Sequence, residues 1–154
     1  MLPNDPEKLR DCLLRWTGGN APAAAFLAEI AEIARLADDI VDEDEHRQRN
    51  VCWLLSRVLT VLPLNPFYLA HGRDLAPLLN TLIVDWQLSD AYRLSGDPLK
   101  QTHGFVRREG IANLVTAVAG ILGGYEHARA VAADVFETCL AGSKEMVEDW
   151  VAEH

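Results

Sequence analysis

Apolar residues recur along this chain at spacings of three and four, the period of helices with one buried face. Leu9, Cys12, Leu13 and Trp16 follow Asn4-Asp5-Pro6, where a capping residue precedes a proline suited to a first helical turn. Thr17-Gly18-Gly19-Asn20 ends that helix, and Pro22 opens an alanine-rich second helix reaching about Asp44. A third helix covers about Val51 to Leu62 and is apolar on nearly every face, so the pattern makes it central. Pro63 and Pro66 force a break. A fourth helix runs from about Asp74 to about Leu94, a fifth from Asp97-Pro98 to about Leu122, and a sixth from near Glu126. Gly123-Gly124 separates the last two, and Gly142-Ser143 splits off a short terminal helix. The strict alternation of a half-buried strand is rare. The pattern predicts one all-α domain over residues 1–154, an antiparallel helical bundle of six or seven helices.

On the second helix, Phe26, Leu27, Ile30, Ile33, Ala34, Ala37, Ile40 and Val41 fall on one arc, the expected core stripe. Asp38 and Asp42 are neighbours at i and i+4 and border that arc beside Leu27 and Ala34, while Asp39, Glu29, Glu32 and Glu43 point further outward. Like charges at this spacing repel, and the helix dipole opposes them near a C-terminus. A divalent cation would offset both effects, and hard oxygen ligands suit magnesium.

Charge sharpens this picture. The chain carries 23 acidic and 14 basic residues, a formal net charge of −9. That excess argues against nucleic-acid binding, which needs basic surface. Eight of the acidic residues lie between Glu29 and Glu45, so much of the excess belongs to one helix.

Asp38-Asp39-Ile40-Val41-Asp42-Glu43 has the form DDxxDE, and Arg47 and Arg49 follow it. This stretch resembles the first aspartate-rich motif of class I isoprenoid synthases, the trans-prenyltransferases and terpene synthases. The resemblance spans roughly residues 26 to 49. It implies an isoprenoid-synthase-like helical fold, with magnesium held by Asp38 and Asp42, Asp39 in support, and Arg47 contacting a substrate diphosphate. Asp85, Ser89 and Arg93 repeat the spacing of that family's second metal motif, with arginine where the family has glutamate.

Two more residues interrupt apolar stripes. Asp85 sits among Leu78, Leu82, Leu88 and Tyr92, and Arg107 lies on the stripe of Ile111, Leu114, Val118 and Leu122. A buried aspartate needs a partner. Asp85 and Arg107 therefore either join a magnesium–diphosphate site or form a salt bridge with each other.

The cysteines Cys12, Cys52 and Cys139 are odd in number, widely spaced and set among apolar neighbours, which reads as buried free thiols in a reducing cytoplasm. No apolar run approaches the roughly 20 residues of a membrane span, and no secretory signal opens the chain. Gly110, Ala117 and Gly120 give a small-residue edge suited to close helix approach, hence the expectation of a homo-oligomer. Two functions stand side by side. One is magnesium-dependent binding of a small-molecule, isoprenoid-like diphosphate. The other is a non-enzymatic interaction protein, a homodimer or assembly adaptor, whose acidic helix is solvated.

Overall fold

A computed structural model describes residues 1–42 and 45–153. Among the described residues the chain is helical, with no strand. The helices are α1 (Pro6–Trp16), α2 (Ala21–Asp42), α3 (Arg47–Ser56), α4 (Pro66–Arg93), α5 (Pro98–Arg107), α6 (Ile111–Ser143) and α7 (Val147–Ala152). A π-turn (Arg57–Val61) and a 3-10 turn (Leu62–Leu64) continue α3. Glu43, in the acidic motif, and Asp44, the expected end of the second helix, lie outside the described residues.

Side-chain caps start four of the helices. Asp5 accepts from the Lys8 amide at 2.8 Å, Asn20 from Ala23 at 3.0 Å, Asn65 from Tyr68 at 2.9 Å and Asp97 from Leu99 at 2.9 Å. Each satisfies an amide that the first helical turn leaves open. Asn65 explains why α4 begins at Pro66 rather than near Asp74. Proline lacks an amide hydrogen and has a helical φ, so after a cap it opens a helix instead of breaking one. The expected fifth helix ends early, at Arg107, because the chain turns through Arg108–Gly110. A side chain at Gly110 would collide with Leu82, so that turn sits tightly against α4. The expected break at Gly123-Gly124 is a kink inside α6, with Gly124 at φ +77°.

The chain divides into two compact units, residues 10–74 and residues 1–9 with 75–154. In the first, α2 packs along α3 and the π-turn. Phe26 is fully buried, with its ring 5.5 Å from Phe67 and 5.9 Å from Tyr68. In the second, α7 packs on α5. Phe105 and Trp150 meet edge to face at 5.7 Å, and the Arg108 guanidinium lies over both rings while pairing with Glu145.

One expectation fails here and a second holds only in part. The third helix is not central: Val51, Trp53, Leu55, Val58, Leu59 and Val61 are exposed. The core stripe of α2 holds in part: Phe26 and Leu27 are buried and Ile30, Ile33, Ala37 and Ile40 half-buried, but its C-terminal half is turned about the helix axis. Leu36 is buried and Glu29 half-buried, whereas Ala34 and Val41 are exposed. Leu27→Ala is therefore expected to cost about 2–5 kcal/mol, and Leu59→Ala no more than about 0.5 kcal/mol. Urea unfolding of the two variants checks this, and equal losses would contradict the assignment of faces.

Candidate functional site

The turn of α2 about its axis sets the geometry of the acidic residues. With the buried face displaced toward Leu36 and Glu29, Asp38 and Asp42 no longer border the core and both are exposed. Asp39 is half-buried and pairs with Arg35. The same guanidinium holds Glu32 at 2.8 and 2.9 Å, and that hydrogen bonding pulls the Glu32 carboxyl below its usual range. Arg35 thus neutralises two carboxylates along the outer face of α2. Arg47 reaches back from α3, where its Nε donates to the Ile40 carbonyl at 3.0 Å. A cation at the last carbonyls of a helix complements the negative end of its dipole.

A magnesium site needs several oxygen donors converging on one point. Asp38 and Asp42 are exposed one turn apart, and Asp39 is turned to Arg35. Among the described residues, no three His, Cys, Asp or Glu side chains gather closely enough to hold a metal. Glu43 and Asp44, which adjoin Asp42, lie outside the described residues.

Asp85 and Arg107 belong to the other compact unit and form a salt bridge at 2.6 Å. Asp85 is largely covered and the Arg107 side chain is 47% exposed, so solvent screens the pair. Ser89 is buried and donates to the Trp86 carbonyl at 2.7 Å, while Arg93 donates to the Glu153 carbonyl at 3.2 Å. These contacts give Asp85, Ser89 and Arg93 separate structural tasks. Neither Ser89 nor Arg93 is needed to satisfy Asp85.

A different surface stands out on α3. Val51, Leu55, Val58 and Leu59 fall at i, i+4, i+7 and i+8 and form an exposed stripe, with Leu55 51% and Leu59 67% exposed. Cys52 lies on its flank and is exposed, which corrects the expectation of three buried thiols. Trp53 stands to the other side, with the Arg49 guanidinium 5.0 Å from its ring centre. The inner face of α3 is fixed by buried Asn50 and by Arg57, whose Nη1 holds both oxygens of Glu29 at 2.9 and 3.0 Å. Beside this pair an open depression is lined by Ala25, Glu29, Thr60, Val61, Leu64 and Asn65.

The segment is also set apart by charge. From His46 to Arg73 the chain has four arginines, Arg47, Arg49, Arg57 and Arg73, and no acidic residue. The sequence held this signal in plain form: an all-round apolar helix inside the longest acid-free stretch of an acidic chain. No protein-family model, curated protein or solved structure matches this chain.

Asp42→Asn removes a charge that repels Asp38 and opposes the dipole, and is expected to stabilise metal-free protein by about 0.3 kcal/mol. Thermal melts with and without magnesium and inorganic diphosphate check this. A ligand-dependent rise in Tm that the variant abolishes would instead restore the metal reading.

Proposed function

We propose that this chain is a non-enzymatic helical interaction protein that docks through the outer face of α3 and its π-turn. The observation that carries this reading is the exposed stripe of Val51, Leu55, Val58 and Leu59. Isolated apolar residues on a surface are ordinary. A contiguous apolar patch larger than a few hundred Å² on a helix face marks a surface that is covered in use. The acidic helix then acts as solvated surface, as its Arg35 pairings suggest.

The expected homodimer changes its footing. Gly110 packs under Leu82, and the space above Gly120 is bounded by Ala128, so two of the three small residues serve contacts within the chain. The α3 face is the better candidate for a contact with anything outside it. The magnesium–diphosphate reading keeps one support: Asp38 and Asp42 are exposed one turn apart, with Arg47 at the same helix end.

The docking face is tested by Leu55→Ser with Leu59→Ser. The double variant is expected to melt at the same temperature as the parent and to elute earlier from a phenyl matrix. A variant that unfolds would place these leucines in the core. Unchanged retention would remove the face as the protein's dominant apolar surface. Either result contradicts the proposal.

A further inference from the structure

We infer that the short helix α7 is a pH-set latch: the Glu145 and Glu153 side chains, gathered from its two ends beside Arg108, hold one proton between them while α7 is docked on α5, and loss of that proton loosens the helix. The latch lies wholly within the compact unit that contains residues 75–154 and stands apart from the α3 face.

α7 runs from Val147 to Ala152, too short a helix to persist without tertiary contacts. Trp150 is its buried side chain. That indole rests on α5. Its tip fills the space that a side chain at Gly104 would need, and its ring meets Phe105 edge to face at 5.7 Å. Two guanidiniums complete the seat. Arg108 lies 5.2 Å from the ring centre of Trp150, and Arg93, at the end of α4, lies 6.0 Å from it.

The charges around this seat divide unequally. Arg108 pairs with the Glu145 carboxylate, and both side chains are largely covered. Arg93 donates to the backbone carbonyl of Glu153 at 3.2 Å. Asp149 is turned to the Met146 amide at 3.1 Å. The Glu153 carboxyl meets that of Glu145, and the charged groups that act on it are Glu145 from the loop before α7, Arg108 from the turn after α5, and Arg93 from α4. Two ionised carboxylates in contact repel, whereas one proton between them turns the contact into a hydrogen bond.

Burial first, then hydrogen bonding and like charge from Glu145, raise the Glu153 carboxyl above its usual value, against the pull of Arg108 and Arg93. Glu153 is exposed, so its proton exchanges directly with solvent. With α7 undocked, Glu153 returns to its usual value. Docking therefore takes up a proton. The Glu153 contribution to docking is full below the usual carboxylate value and is lost as the pH rises through the raised one. Release uncovers Gly104, Phe105 and the Arg108 guanidinium, an aromatic and cationic seat on α5.

The test is hydrogen exchange of the intact chain at about pH 7.5 and about pH 5.5, corrected for the intrinsic pH dependence of exchange and read by mass spectrometry on the peptide covering α7. The α7 amides are expected to be several-fold better protected at the lower pH, while the buried Leu114–Ala119 stretch of α6 keeps its protection. Glu153→Gln supplies a hydrogen-bond donor without charge. It is expected to give, at the higher pH, the protection that the parent shows at the lower one, with no further change between the two. Equal protection of α7 at both pH values, or a pH dependence that survives Glu153→Gln, would overturn the latch. A change shared by the Leu114–Ala119 stretch would assign the effect to opening of the whole unit and overturn the latch as well.

Discussion

Arg57 grips both oxygens of Glu29 with one nitrogen, and this contact decides which side of α2 faces inward. The Glu29 side chain is only 13% exposed. A carboxylate so covered needs a partner, and removing that partner would leave a charge stranded at the helix interface. Phe26, one turn away on the same side, meets Phe67 and Tyr68. Together they turn α2 so that Leu36 is buried and Ala34 faces solvent. Two consequences follow. Asp38 and Asp42 are carried outward, and the inner face of α3 is committed to α2 through Asn50 and Arg57. Val51, Leu55, Val58 and Leu59 are left on the outside.

The helical nature of the chain was legible because its signals are local. Caps at Asp5 and Asp97 and the break near Gly18 appear where a residue-by-residue reading puts them, and the break expected at Gly123-Gly124 is a kink within α6. Pro66 was misjudged because a proline breaks or begins a helix according to the residue before it, and Asn65 is a cap. The rotation of α2 was not legible. Its apolar residues cover so wide an arc that periodicity alone leaves the buried centre free to move, and Glu29–Arg57 spans 28 positions. The pairing of Asp85 with Arg107 was one of two alternatives the sequence left open, and the pair forms at 2.6 Å.

The same limit applies to α3. A helix apolar all round is expected to be buried on all sides, and hydropathy does not reveal how many sides the rest of the chain can cover. α2 covers one of them. The functional weight of the chain then shifts from its acidic residues to the one stretch without any. Acid along α2 is organised by Arg35 and Arg47. The acid-free, arginine-bearing stretch from His46 to Arg73 presents apolar surface to whatever lies outside.

That central claim, an outward α3, is tested most directly by its thiol. Cys52 is exposed, whereas Cys12 and Cys139 are buried, and burial pushes the Cys139 thiol up, away from its reactive thiolate. Native protein treated with a bulky maleimide and weighed by mass spectrometry should gain one adduct, at Cys52, and the other two only after denaturation. A native protein that gains none, or gains all three together, would contradict the account.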